Sequence, residues 1–165
     1  MTSSFDRERI RQEFRPERTR LLFVGESPPA SGRFFYFGAG IVFASTQRAF
    51  AKAFRTSFAS PEEFFCLFQR TGCYLDDVSH KPVDDLARFE RKRAIDGCID
   101  TFAQRLRDMK PEAIVIILKK IETAVATAAS LADIPHERLT VLPFPGNGHQ
   151  KRYVDQLVAF LEQRK

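Results

Sequence analysis

The chain has 165 residues, 44% hydrophobic and 28% charged, a size and balance that fit one globular domain over 1–165 with a sizeable core. No apolar run approaches the roughly 18 residues needed to span a bilayer, and the charged segment 1–20 lacks the apolar centre of a signal peptide, so a cytoplasmic protein without membrane contact is expected. The net charge of +5 favours a polyanionic partner, while Cys66, Cys73 and Cys98, with no CxxC pair, speak against a disulfide framework, a zinc ribbon or an iron–sulfur cluster. Reduced, mostly buried thiols are expected, with no metal and no cofactor.

Residues 6–14 set Phe5, Ile10 and Phe14 among many charges and read as a short amphipathic helix ended by Pro16. Residues 21–24, Leu-Leu-Phe-Val closed by Gly25, form the continuous apolar run of a buried parallel strand. A long loop rich in Pro, Gly and Phe follows, to about Gly40. Ser45 or Thr46 can cap a helix carrying Phe50, Phe54 and Phe58. Ser60-Pro61-Glu62-Glu63 is a strong start signal for the next helix, which Gly72 follows. Residues 74–78 read as a short strand whose tail turns polar at Asp76 and Asp77. One longer helix is expected over 86–109, then the clearest strand at 113–118, a helix over 121–131 and a fourth strand at 139–142. A Pro- and Gly-rich loop opens the last helix, where Val154, Leu157, Val158 and Leu161 recur at helical spacing.

Strands alternating with helices imply right-handed crossovers and a parallel sheet covered on both faces. Ligands of such sheets bind beyond the carboxyl ends of the strands. Three strand exits are conspicuous there: Gly25-Glu26-Ser27-Pro28-Pro29, Asp76-Asp77, and the loop 143–149. No GxGxxG follows the first strand, since Gly38-Ala39-Gly40 lacks the third glycine, and no Walker or Gly-x-Ser-x-Gly sequence is present. The aromatic run Phe34-Phe35-Tyr36-Phe37 lies in a loop, where a ring can serve as a stacking platform or simply as core. His149 begins the last helix beside Gln150, Lys151 and Arg152, and the backbone N–H groups of a helix start suit a phosphate. His80 follows the second strand, and Lys119 and Lys120 stand at the carboxyl end of the third.

The segment Leu22-Phe23-Val24-Gly25-Glu26-Ser27-Pro28-Pro29 resembles the first active-site motif of the uracil-DNA glycosylase superfamily, closest to the GEAPG form of its family four. Gly32-Arg33-Phe34-Phe35-Tyr36-Phe37-Gly38 is similar to that family's G-R-P-F-V-G segment, one residue longer. Tyr74-Leu75-Asp76-Asp77 is similar to its Tyr-x-x-Asn, and the run 142–147 falls where its histidine–proline loop stands. The resemblance implies a three-layer α/β/α fold around a four-stranded parallel sheet. It also implies a DNA glycosylase that extrudes a damaged or deaminated base from double- or single-stranded DNA and cleaves its N-glycosidic bond, acting as a monomer. Carried over residue by residue, Glu26 orients water, with His149 standing in for the family's histidine. Phe35 stacks on the base, with Phe37 as its rival. Asp77 reads the base edge, with Ser27 and Phe144 alongside it. Asn147, Gln150, Lys151, Arg152 and Lys119 then meet DNA phosphates. The chain departs from the pattern at Ser27, at Phe144 in place of His, at Asp77 in place of Asn, and in lacking family four's cluster cysteines. Those departures leave two alternatives: a non-catalytic nucleic-acid-binding protein of the same fold, and a nucleoside or nucleotide hydrolase.

Overall fold

The computed structural model describes residues 4–165, except the side chains of Ser4 and Phe5, so the expected inward packing of Phe5 lies outside the described residues. Strands β1 (Leu21–Gly25), β2 (Cys73–Asp77), β3 (Ala113–Ile116) and β4 (Leu139–Val141) form one parallel sheet in the order β2-β1-β3-β4. Every residue of β1 and β3 is buried, as continuous aliphatic runs must be when helices cover both faces. Seven helices are described: α1 (Ser4–Glu13), α2 (Ile41–Ala53), α3 (Pro61–Arg70), α4 (Arg88–Asp96), α5 (Ile99–Met109), α6 (Glu122–Leu131) and α7 (Gln150–Glu162). α2 packs on α7, and α5 on α6. Right-handed crossovers in this strand order put the two pairs on opposite faces, which gives the expected three-layer α/β/α fold. None of these helices is long and apolar enough to cross a membrane.

The start signal at α3 holds in detail. The Ser60 hydroxyl accepts from the Glu63 N–H, and the Glu63 carboxylate accepts from the Ala59 N–H at 2.7 Å, a reciprocal cap. Three expectations need correction. α2 begins at Ile41, because Gly40 at φ 93° turns the chain into the helix without a side-chain cap. Ser45 and Thr46 therefore lie buried inside it, and Thr46 shares a 2.8 Å hydrogen bond with the Tyr153 hydroxyl of α7. Phe54 and Phe58 fall beyond its end, although Phe54 still stacks on Phe50. The helix expected over 86–109 is two helices broken at Gly97 and Cys98: α5 buries Phe102, Ala103, Leu106 and Met109, whereas the charge-rich α4 buries Ile95. Of the three free thiols Cys73 is buried, Cys98 half-buried and Cys66 exposed.

The third correction bears on the site. α1 does not simply turn an apolar stripe inward. Ile10 and Phe14 are half-buried, while Arg7 and Arg11 are buried, Arg11 completely. β2 is an edge strand whose outward peptide groups need partners. The Tyr36 hydroxyl accepts from the Leu75 N–H at 2.7 Å and donates to the Leu75 carbonyl at 3.0 Å, and Arg11 donates to the same carbonyl at 3.2 Å. The sheet edge beside the site is thereby closed by one tyrosine and one buried arginine.

Candidate active site

Beyond the carboxyl ends of β1 and β3, where the strand order reverses, lies a cavity of about 650 Å³. The exits of β1, β2, β3 and β4 all contribute to its wall, together with the aromatic loop. Backbone hydrogen bonds from Val78 to the Gly25 carbonyl (3.0 Å) and from Ser79 to the Glu26 carbonyl (2.9 Å) prolong the β1–β2 pairing into the loops. They hold the first motif against Asp77.

The inner wall is built around Asp77. Its Oδ2 accepts from Arg11 Nη2 at 2.9 Å. Its Oδ1 stands over Gly25, where the Cβ of any other residue would collide with it, so the first motif must carry glycine there. Asp76 next door pairs with Arg105 at 2.8 Å and His80 at 2.8 Å, while Arg105 also closes the strand end through the Asp77 carbonyl at 2.5 Å. The two carboxyls part company electrostatically. Burial, set against Arg11, pushes Asp77 above the ordinary carboxylate value. Burial acts on Asp76 too, but its hydrogen bond with His80 and the charges of Arg11 and Arg105 overcome it and hold Asp76 well below that value.

The aromatic loop contributes Phe34 and Phe35 to the wall. Phe35 is only 5% exposed and meets Tyr36, Phe43, Phe64, Phe65 and Phe68 within 6.2 Å between ring centres. It is a core ring that also borders the cavity. Phe34 is buried as well and carries the Arg11 guanidinium 5.1 Å from its ring centre. Gly38, in the left-handed region at φ 68°, ends the short 3₁₀ turn Phe35–Phe37 and packs against Pro61, where a side chain would not fit. Phe37, the expected rival to Phe35, points elsewhere: it is partly exposed, does not line the cavity and packs edge-on against Phe34.

The mouth belongs to Glu26. Its carboxylate is gripped by Arg91 of α4 in a two-pronged contact (Nε to Oε1 2.9 Å, Nη2 to Oε2), and Lys120 Nζ lies 3.0 Å from Oε2. Burial works against ionisation, but these two cations prevail and hold the carboxyl below its usual range. Ser27 lines the cavity and its hydroxyl accepts from the Val83 N–H at 3.2 Å, which fastens the β2–α4 connection to the first motif. Asp84 fastens it again by accepting from the Ala30 N–H.

From the β4 exit, Phe144 and Asn147 reach the cavity, Phe144 being 40% exposed. Asn147 at φ 54° and Gly148 at φ 83° form consecutive left-handed positions, and that turn directs the following residues outward. His149 is accordingly exposed and outside the lining, so it does not face the cavity with Glu26 as expected. Gln150, Lys151 and Arg152 lie on the first turn of α7, also outside the lining, and Lys151 pairs with Asp155. Lys119 is exposed and does not line the cavity; its neighbour Lys120 does. His80 sits between Asp76 and Glu8, away from the lining.

Three contributors escaped the sequence reading, Arg11, Arg91 and Arg105, whereas Phe34 stood in the aromatic run without being assigned to the cavity. Arg7, Arg11 and Phe14 share one helical face by spacing, the single trace of the buried arginine in the sequence. Arg91 and Arg105 carried none, since charged helix faces are usually solvated. Among the described residues no group of His, Cys, Asp and Glu is arranged to hold a metal ion.

No match is found among curated proteins. A family model described as the uracil DNA glycosylase superfamily matches residues 12–157, which takes in all four strands, the aromatic loop and every cavity-lining residue named above, and the chain belongs to that superfamily.

Proposed function

We propose that the protein hydrolyses the N-glycosidic bond of a damaged or deaminated base in DNA. One observation carries the reading: a cavity at the sheet's switch point joins buried aromatic rings to a buried carboxyl whose Oδ1 stands over Gly25. Rings can meet the faces of a base and the carboxyl can meet its edge, which is what an extruded nucleotide requires of a pocket. In the reaction the C1′–N bond breaks with its electron pair leaving on the base. Water oxygen then bonds to C1′, and the proton that water sheds neutralises the base. Because the sugar develops oxocarbenium character, the water needs orientation more than deprotonation. Glu26 suits that role: held ionised by Arg91 and Lys120, it is a weak base, yet its oxygens keep lone pairs for a water hydrogen bond. Phe144 and Ser27 would border the base and Phe35 would back its ring, while Asn147, the first turn of α7 and Lys119 are the groups this reading assigns to the phosphodiester.

The same ion pairs favour a second reading, a nucleic-acid-binding protein of this fold without chemistry, since a carboxylate neutralised by two cations is a poor general base. Oligonucleotides carrying uracil, hypoxanthine, xanthine or oxidised pyrimidines, scored for abasic sites, separate the two. Base release from any of them supports the hydrolase. Duplex binding without release selects the binding protein, and release from free nucleosides alone redirects the reading to a nucleoside hydrolase.

A further inference from the structure

We propose that Arg11 decides the polarity with which position 77 reads a base, and is therefore a specificity-determining positioning residue. The inference rests on the base-pocket reading above. It also requires Arg11 to be immobile, and the contacts around it provide that. Its side chain is fully buried, and Nε donates to Glu8 at 2.8 Å, Nη1 to the Leu75 carbonyl at 3.2 Å and Nη2 to Asp77 Oδ2 at 2.9 Å. Asp76 Oδ1 lies 3.5 Å away and the Phe34 ring lies against the guanidinium. The groups facing the Asp77 carboxyl are thus Arg11, Asp76 and His80, with Arg105 on its carbonyl.

A guanidinium donates only and keeps its charge at every accessible pH. Whatever occupies position 77 must present an acceptor to Arg11, and the other terminal atom is the one left over Gly25 for the ligand. With aspartate that atom is Oδ1, a second acceptor when ionised. It suits a base edge that presents an exocyclic amine. With asparagine the amide oxygen must face Arg11, because an NH2 group there would set donor against donor. The NH2 group is then turned over Gly25 and suits a carbonyl edge. While Asp77 is ionised, a change at residue 77 alone therefore inverts the preferred edge, and the inversion depends on a residue of α1 that never touches the base.

The test uses oligonucleotides with a single 2′-fluorinated cytosine or uracil nucleotide, which resist hydrolysis, and compares affinities for the full chain and its Asp77→Asn, Arg11→Gln and double variants. A gained or lost hydrogen bond predicts that Asp77→Asn moves the uracil-to-cytosine affinity ratio about tenfold toward uracil. In the double variant, where the amide at position 77 is free to turn either way, that shift shrinks toward nothing. An unchanged ratio in Asp77→Asn, or the same shift with and without Arg11, overturns the proposal while leaving the base pocket intact. Probes that bind none of the forms overturn the base-pocket reading itself. Should Arg11→Gln fail to fold, the side-chain amide introduced by Asp77→Asn alone decides. Nuclear Overhauser contacts from its NH2 protons to the Gly25 α-protons support the proposal, and contacts to Arg11 instead overturn it.

Discussion

Two arginine–carboxylate pairs flank the cavity, and they differ in what surrounds them. At the inner wall the Arg11 and Asp77 side chains are 0% and 7% exposed, and the arginine has further acceptors in Glu8 and Leu75. At the mouth Arg91 is 28% exposed, Lys120 is 48% exposed, and both converge on Glu26. An inner pair screened from water cannot exchange partners without leaving a buried charge alone, so it serves as fixed architecture. At the mouth the two cations keep solvent as an alternative, and Glu26, itself only 10% exposed, retains one of them when the other leaves, so a cation there is replaced at less cost than Arg11. The same chemical pair is a framework at one end of the cavity and a replaceable contact at the other.

The sharpest way to separate the two ends is to weigh turnover against stability. Glu26→Gln should lower base release by roughly 10²–10⁴ while shifting the melting temperature little, since its partners remain solvated. Unaltered turnover removes Glu26 from the reaction. Arg11→Met should instead destabilise the fold by about 3–5 kcal/mol, the cost of leaving a buried charge unpaired, whereas Arg91→Met should cost about 1 kcal/mol or less in the same denaturation experiment. Equal losses at the two positions would end the distinction. Phe35→Ala belongs with the inner end: a ring packed among five others should cost about 3–5 kcal/mol on removal, beyond what loss of base stacking alone explains.

Acid titration sharpens the contrast within the inner wall. Asp76 is held below its ordinary 3.8, so its contribution is fully present above that pH and is lost as pH falls through its folded value. Asp77 is held above 3.8, so its contribution has the opposite sign, present below that pH and lost as pH rises through its folded value. Melting temperatures from pH 2 to 7 should therefore show Asp76→Asn flattening the loss on the acid side. Asp77→Asn should instead raise neutral-pH stability relative to acid. The smallest expected effect is at the mouth. DNA affinity should fall with salt at about −0.9 in log–log slope per phosphate neutralised on duplex, and Arg91→Ala should lower that slope by about one. An unchanged slope would mean that Arg91 stays with Glu26 when DNA binds.

Much of the fold was legible because its elements announce themselves through local chemistry. The aliphatic runs of β1 and β3 could only be buried parallel strands, and Ser60-Pro61-Glu62-Glu63 could scarcely begin anything but a helix. The start of α2 was misread because Gly40, and not a hydroxyl, turns the chain into it. The break at Gly97 was missed because both halves of 86–109 are good helix formers. At the site, Glu26, Ser27, Phe35, Asp77 and Phe144 could be placed on one cavity because each leaves a strand or occupies a motif at the sheet's carboxyl edge. His149 was drawn toward the cavity by adjacency along the chain, and its neighbour Asn147, assigned from the sequence to a phosphate, is the residue that lines the cavity.

What the sequence alone determined was the layered fold and the edge of the sheet on which the site lies, because period, caps and strand exits are properties of short segments. What only the tertiary structure decided was the electrostatics of that site. Arg11 lies 66 residues from Asp77 and Arg91 lies 65 from Glu26, in helices whose charged residues read as solvated until packing brings them against a carboxylate. Whether a carboxyl is an ionised acceptor, a neutral donor or half of an ion pair depends on the dielectric and the charges around it, and those are set by residues remote in sequence.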